Sequence, residues 1–245
     1  MAPLLGAGLW AGAQNALAGG GSFITIPALM LAGLDARSAN ITSSVALYPG
    51  QVATGVSGRS MVAGTSTLSF RAMAVIGLIG GALGSALLLL TPGATFEGLL
   101  PWLVLFATAM FGWSAFGRAQ TKTPRQPVAR WVAIVLQGTI SVYGGYFGGG
   151  LGFLMVASLS LVGLTARAAS ANKNALAAVI NTSSLIVFLF SPGLVWVPAL
   201  LLAAGAVAGG VAGSWMLRRV PERALRIVVM CIGMVLTIAL FIRAY

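Results

Sequence analysis

The side chains that carry most enzyme chemistry are scarce in this sequence. It contains no histidine, a single cysteine at Cys231, and three acidic residues, Asp35, Glu97 and Glu222. Metal sites need clustered histidine, cysteine or acidic ligands, and triad catalysis needs a base beside a nucleophile. The sequence therefore predicts neither an enzyme nor a bound metal or cofactor, and one cysteine cannot form an intramolecular disulfide.

The polar groups that remain include backbone amides exposed by two glycine-rich stretches. Residues 16–27 and 146–153 each carry a glycine triplet inside an apolar run. Glycine costs about 1 kcal/mol relative to alanine in a helix interior, so both helices should break there. A helix that restarts at such a break directs N–H groups and partial positive charge towards an anion. The predicted binding residues are Gly19, Gly20, Gly21, Ser22, Gly148, Gly149 and Gly150. Alternatively, the glycines only allow close helix packing.

A lysine in an otherwise apolar segment is the second candidate. Lys173 stands between Asn172 and Asn174, with no acidic residue near it in the sequence. An intramembrane charge is costly unless it is paired or wetted, so a transported anion is one counter-ion. A snorkelling interfacial lysine is the equal alternative. Further side chains could donate hydrogen bonds to an anion, or could equally join helices: Asn40, Thr42, Ser43, Ser44, Gln51 and Asn181.

The composition defines the surroundings of these residues. Of 245 residues, 58% are hydrophobic and 7% are charged, whereas soluble domains carry about a quarter charged residues. Several apolar runs reach the length of about 20 residues that a bilayer crossing needs. The start of the chain lacks a basic n-region, so no cleaved signal peptide is expected. The sequence predicts an all-α polytopic membrane protein.

The net charge of +11 has a simple membrane explanation. Basic residues concentrate in cytoplasmic loops and contact anionic lipid headgroups. Nucleic acid is not an expected partner because no soluble basic module is present. The expected partners are the lipid bilayer and a small anionic substrate.

The expected elements of the first half follow from the apolar runs and their breaks. Arg118 to Arg130 is the longest charged loop and the expected midpoint of the chain. The expected segments are helices at 3–18 and 23–34, a polar turn at 34–40, a helix at 41–57, a connector at 58–69, and spans at 70–90 and 99–117.

The second half repeats the first. Residues 33–39 match 163–169 at an offset of 130, which also aligns Phe23 with Phe153, and residues 79–85 match 208–214 at an offset of 129. These matches predict an internal duplication within one transmembrane transporter domain, residues 1–245, with repeat 1 at about 1–120 and repeat 2 at about 128–245. The glycines of the second match are predicted to serve helix packing: Gly80, Gly81, Gly84, Gly209, Gly210 and Gly213.

Basic residues predict how the repeats are oriented. If every broken segment crossed the membrane, each side would hold seven of the 14 basic residues. If each break is the tip of a hairpin, twelve lie inside, and only Arg37 and Arg243 lie outside, as the positive-inside rule requires. The prediction is two inverted repeats, each a glycine-broken helical hairpin plus three transmembrane helices, with both termini outside.

The motifs resemble those of the TauE/SafE family, the sulfite exporter or TSUP transporters. The residues that carry the resemblance are 19–27, 39–44 and the second triplet at 148–150. The resemblance implies a multi-pass protein of the bacterial inner membrane that moves sulfite, organosulfonates, thiosulfate or other small anions. Relatives that take up thiosulfate use intramembrane cysteines. Because Cys231 is the only cysteine here, thiosulfate uptake is not expected. A homodimer is a further expectation.

The leading hypothesis is an exporter of a small anion such as sulfite or an organosulfonate. It would work by alternating access, with the anion bound at the midplane between the two glycine breaks. No predicted span contains Asp, Glu or His, so the membrane potential is the expected driving force rather than a proton relay. The alternatives are a channel-like anion pore, an uptake carrier for another small organic anion, and, less favoured, an intramembrane enzyme or scaffold.

Overall fold

The computed structural model describes residues 1–17, 19–57, 59–116, 128–164, 166–216 and 222–245. These residues form ten α-helices and a short 3₁₀ turn at Arg59–Met61, with no strand among them. Most of the expected charged loop at 118–130, namely residues 118–127, lies outside the described residues. The helices are α1 (Ala2–Leu17), α2 (Ser22–Leu31), α3 (Ala36–Ser57), α4 (Phe70–Leu90), α5 (Gly93–Phe116), α6 (Arg130–Tyr146), α7 (Leu151–Leu161), α8 (Ala166–Leu189), α9 (Trp196–Met216) and α10 (Glu222–Ala244).

Both glycine stretches interrupt a helix, as predicted. Between α1 and α2, Gly19 and Gly20 adopt φ values of +88° and +79°. Between α6 and α7, Gly148 and Gly150 adopt φ values of +71° and +78°. This left-handed region is open to glycine at little cost, because glycine has no Cβ. Each triplet therefore turns the chain sharply between two helices.

Two element boundaries differ from the sequence expectation. The helix α3 begins at Ala36 rather than 41, because the Asp35 carboxylate accepts a 3.0 Å hydrogen bond from the N–H of Ser38 and caps the helix. The predicted polar turn at 34–40 is therefore mostly helical. The helix α5 begins at Gly93 rather than 99 and so includes Glu97, which forms a 3.6 Å ion pair with Arg243. The expectation that no span contains an acidic residue is wrong at this helix end.

The first arm of each hairpin packs against a helix of the other half of the chain. In the α1–α9 pair, a Cβ built on Gly8 would lie 2.5 Å from the carbonyl oxygen of Leu202. In the α4–α6 pair, a Cβ built on Gly84 would lie 2.7 Å from the backbone nitrogen of Tyr146. Contacts advance in the same direction along both helices of each pair, so both pairs are parallel. The packing role predicted for Gly80, Gly81, Gly84 and Gly209 is confirmed, while the surroundings of Gly213 lie outside the described side chains.

The helices α3 and α8 cross at the centre in opposite directions. Tyr48 and Thr182 share a 2.9 Å hydrogen bond between their hydroxyls, and a Cβ built on Gly55 would lie 3.2 Å from the carbonyl oxygen of Asn174. Later residues of α3 thus contact earlier residues of α8. The hairpin tips also meet, because the rings of Phe23 and Phe153 have centroids 6.3 Å apart. The centre of the molecule is built from both halves.

The contacts between helices show an internal symmetry. If each helix of α1 to α5 is replaced by its counterpart in α6 to α10, and the reverse, a pair of helices in contact gives another pair in contact. The α1–α9 pair corresponds to α6–α4, the α2–α10 pair to α7–α5, and the α3–α9 pair to α8–α4. The α3–α8 and α5–α10 pairs are their own counterparts.

The outer surface is apolar. Large side chains such as Leu83, Trp131 and Val235 are at least 59% exposed. Within the described ranges, three helical segments are long and apolar enough to cross a membrane by length and composition: Phe70–Leu90, Gly93–Trp113 and Ile227–Ala244. An exposed surface of this kind is suited to lipid rather than to water.

Candidate functional site

A cavity of about 300 Å³ lies where the two hairpin tips meet. Its walls come from the end of α1, the first glycine break, the middle of α3, the second break, one face of α8 and one face of α9. A volume of this size is at the lower end of the range for small-molecule sites, about 300–1,000 Å³.

More than half of the predicted binding residues line this cavity. Both glycine breaks contribute, as do single faces of α3 and α8. The predicted residues in its wall are Gly19, Gly20, Ser22, Gln51, Gly148, Gly150, Lys173, Asn174 and Asn181.

Backbone donors are available at both breaks. Among the described residues, no acceptor binds the N–H groups of Gly20, Ser22, Gly148, Gly150, Leu151 and Gly152. The N–H groups of Ser22, Gly150, Leu151 and Gly152 are among the donors that a helix start leaves unpaired, and those of Gly20 and Gly148 lie in the breaks just before. All six residues line the cavity. The N–H of Gly21 differs, because it donates a 2.8 Å hydrogen bond to the side-chain oxygen of Asn15.

The last turn of α1 holds the first break in place. Asn15 accepts from Gly21, and the Gln14 amide donates a 3.2 Å hydrogen bond to the carbonyl of Gly20. Both polar side chains therefore fix the backbone that faces the cavity. Asn15 also lines the cavity itself.

Lys173 is the only charged side chain among the described residues that line the cavity. Its alkyl chain passes the start of α7, since a Cβ built on Gly152 would lie 3.4 Å from Lys173 Cδ and 3.8 Å from Nζ. No residue in the described ranges forms an ion pair or hydrogen bond with it. The Lys173 ammonium group thus lies beside the unpaired N–H groups of the second break. Its positive charge and the partial positive charge of the α7 N-terminus therefore face the same part of the cavity.

Gln51 and Asn181 join α3 to α8 in the cavity wall. The Asn181 amide donates a hydrogen bond to the side-chain oxygen of Gln51. The two residues are equivalent in the internal repeat, at the same offset of 130 (51 to 181). The pair therefore links the two halves at the cavity.

The other predicted residues lie outside the cavity lining and form contacts within the protein. Asn40 donates to the carbonyl of Tyr146 at 3.0 Å, and Thr42 accepts from the N–H of Val195 at 3.2 Å. Ser43 pairs with Thr25, Ser44 donates to the carbonyl of Asn40, and Asn172 donates to the carbonyl of Ala168. In the second break, Gly149 packs on the ring of Phe147.

Several cavity residues were not predicted from the sequence. Gly152 lies two residues after the second triplet, and Ala177 lies on the face of α8 that carries Asn174 and Asn181, at spacings of three and four. That helical spacing is a signal that could have found Ala177. The others come from α1, α3, α9 and the first residue of α7, and none of them is a polar residue that would mark it in the sequence: Gly12, Leu47, Pro49, Gly50, Ala53, Leu151, Ala206, Val207, Gly210 and Val211.

This architecture defines a class of protein. Broken helices from two halves that meet at a central cavity, inside an apolar outer surface, are the build of a membrane transporter. The sequence matches the family model described as "Sulfite exporter TauE/SafE" over residues 4–240. The chain therefore belongs to the TauE/SafE family.

Its relatives are named as probable membrane transporters and not as enzymes. The chain is 28% identical over 217 residues to "Probable membrane transporter protein ORF9" of Sinorhizobium sp, covering 83% of this chain and 78% of the relative. It is 25% identical to "Probable membrane transporter protein" of Haemophilus influenzae, covering 91% and 87%. It is 24% identical to "Probable membrane transporter protein YfcA" of Escherichia coli K12, covering 93% and 84%. No solved structure matches the chain significantly.

Proposed function

We propose that this protein exports a small anion such as sulfite or an organosulfonate, and that the anion binds in the cavity between the two glycine breaks. The observation that carries the proposal is Lys173, the only charge among the described residues of the cavity lining, which lies beside unpaired N–H groups at the start of α7. Burying a charge without a partner is costly, so the arrangement favours an anion that enters and pairs with it.

The expected electrostatics favour such an anion. Opposite charges 4 Å apart attract by about 4 kcal/mol at an effective dielectric constant near 20. Each helix N-terminus adds about 0.3–1 kcal/mol, and up to about 2 kcal/mol where it is partly buried. These terms must offset the desolvation of the anion. The proposed ligands are the Lys173 ammonium, the backbone donors of both breaks, and the amides of Asn174 and Asn181.

We further propose that the halves are inverted repeats in the inner membrane of a bacterium. The antiparallel α3 and α8, and the helix contacts that recur on exchange of the halves, support this arrangement. So do the charges. Arg37 bonds to the carbonyl of Thr91, close in sequence to Glu97, the partner of Arg243. Arg71 and Arg130 begin the parallel helices α4 and α6 at the opposite end of α4. Cysteines placed at positions 37 and 167 should therefore react with impermeant reagents from opposite faces, and reaction from one face would exclude the inversion.

Transport would proceed by alternating access and follow the membrane potential. The described residues that line the cavity include no acidic residue or histidine, so a carboxylate or imidazole proton relay lacks its parts among them. A potential of 100 mV favours exit of a monovalent anion by about 2.3 kcal/mol. That gradient is sufficient to drive export without a coupled ion.

Ligand-linked stabilisation of the purified protein tests this proposal. Sulfite, ethanesulfonate, thiosulfate and acetate would be compared at equal ionic strength, using the wild type, Lys173→Met and the exposed control Arg71→Met. At least one anion should raise the unfolding temperature, since ligand at a hundredfold its dissociation constant adds about 2.7 kcal/mol. Lys173→Met should lose the shift, and Arg71→Met should keep it. A shift that survives in Lys173→Met would refute the proposed site.

A further inference from the structure

The cavity has two chemically different walls. One holds Lys173, Asn174 and the starts of the helices α2 and α7. The other is formed by one face of α9, joined by Leu47 and Ala53 of α3 and Gly12 of α1. The α9 residues of this apolar wall are Ala206, Val207, Gly210 and Val211.

The two walls belong to different helix packings. The helix α9 packs on α1 and α3, whereas α8 packs on α7, α3 and α4. Neither α7 nor α8 is among the helices packed closely against α9 in the described part of the chain. The apolar wall therefore lies across the cavity from Lys173, with α3 and the first glycine break between them.

The cavity is larger than an inorganic oxyanion requires. Its volume of about 300 Å³ corresponds to roughly ten water molecules at about 30 Å³ each. An anion held at Lys173 would leave most of this space as water against apolar side chains. An apolar group attached to the anion would displace that water favourably.

Gly210 is the strongest sign that the apolar wall is kept open. Its neighbour Gly209 is required by packing, because a Cβ there would lie 2.6 Å from the backbone carbon of Leu9. Of the described atoms, a Cβ on Gly210 would meet only the carbonyl oxygen of Gly12, at 3.9 Å. Gly81, its equivalent in the first half, is closed against Ile180, 2.5 Å from a built Cβ. Helix packing thus explains Gly81 and Gly209 but leaves Gly210 unexplained.

Gly50 shows the same property on α3. It lines the cavity, and a Cβ built on it would meet no atom of the described residues within 4 Å. An alanine at either position would fit and would favour the helix by about 1 kcal/mol. Both glycines leave space inside the cavity that the described residues do not fill.

We propose, on the basis of the proposed function, that the substrate is an organic anion with a short apolar chain. Its charged group would lie at Lys173 and its chain against α9, with Gly210 and Gly50 setting the longest chain that fits. These two glycines would then be specificity-determining residues, while Lys173 recognises the charge common to all substrates.

Binding of a graded series of probes tests this inference. Dissociation constants would be measured for sulfite and for straight-chain sulfonates from methanesulfonate to hexanesulfonate. In the wild type, affinity should rise about fourfold for each added methylene until the cavity is full. In Gly210→Leu and Gly50→Leu, the rise should stop at a shorter chain, so that hexanesulfonate loses more affinity than sulfite or methanesulfonate.

Controls separate this inference from the proposed function. Gly6→Leu introduces the same side chain at an exposed position with nothing within 4 Å of its built Cβ, and it should leave the series unchanged. Gly210→Ala is the milder variant if Gly210→Leu does not fold, and it should reduce binding of the longest chain only. Equal affinity for all chain lengths, with Lys173-dependent sulfite binding intact, would overturn the inference alone. If the wild type bound none of these anions, both proposals would be overturned.

Discussion

Gly8 and Gly6 offer a direct test of the packing between α1 and α9. They lie two residues apart in one helix and so face different directions. A Cβ on Gly8 would lie 2.5 Å from the carbonyl oxygen of Leu202 and 3.1 Å from the Cα atoms of Leu202 and Gly205. A Cβ on Gly6 would meet nothing within 4 Å. The same substitution should therefore have opposite effects at the two positions.

The magnitudes follow from these contacts. Carbon atoms pack at about 3.5–4.0 Å, so Gly8→Ala must move the two helices apart by about 0.5–1 Å. Overpacking of this kind costs about 1–3 kcal/mol. Both alanines gain about 1 kcal/mol of helix propensity, and this gain cancels when the variants are compared. Gly6→Ala should therefore be more stable than Gly8→Ala by about 1–3 kcal/mol, and should be at least as stable as the wild type.

Thermal unfolding of both variants in the same detergent measures this difference. The comparison needs no ligand and does not depend on which anion is carried. If Gly8→Ala is as stable as Gly6→Ala, α1 and α9 are not in backbone contact. The packing of the first hairpin arm against a helix of the other half of the chain is then wrong.

Two further predictions concern polar contacts. Gln51→Ala and Asn181→Ala should each lower the free energy of unfolding. The double variant should lose less stability than the sum of the single variants, with a coupling of about 0.5–1.5 kcal/mol. Additive losses would exclude the hydrogen bond between α3 and α8. For Asp35, partial burial alone would raise the pKa, but hydrogen bonds from Ser38 and the nearby Arg37 hold it below 3.8. Its contribution to stability is therefore complete above pH 3.8 and is lost as the pH falls through the lower folded pKa. Asp35→Ala should cost about 1 kcal/mol in neutral-pH melts and Asp35→Asn much less; equal losses would exclude capping.

The glycine breaks could be predicted because their cause is local. Three consecutive glycines cannot sustain a helix at low cost, whatever surrounds them, and the structure interrupts both helices there. Lys173 was likewise visible as an unpaired charge in an apolar segment. The earlier start of α3 also had a local signal, since an aspartate just before a helical segment is a favoured N-cap residue, and it was missed.

The apolar wall of the cavity could not be found in the same way. Ala206 and Gly210 face the cavity because α9 packs on α1, which lies almost 200 residues earlier in the chain. No local pattern encodes such a contact between halves. For the same reason Gly209 and Gly210 look alike in the sequence, although one is packed against backbone and the other faces open space. In the sequence, Asn40 and Thr42 look like Asn181, because all three are polar residues in an apolar segment. In the structure, however, Asn40 and Thr42 form hydrogen bonds to backbone groups of the protein.

Flux of radiolabelled sulfite from proteoliposomes tests the central claim most directly. The wild type, Lys173→Met and Arg71→Met would be compared at several sulfite concentrations, with and without an imposed membrane potential. We expect saturable efflux that an inside-negative potential accelerates, that Lys173→Met abolishes and that Arg71→Met retains. Flux that does not saturate, together with single-channel conductance, would instead define an anion pore. Flux that ignores the potential but follows a proton gradient would contradict potential-driven export, and undiminished flux through Lys173→Met would contradict the site itself.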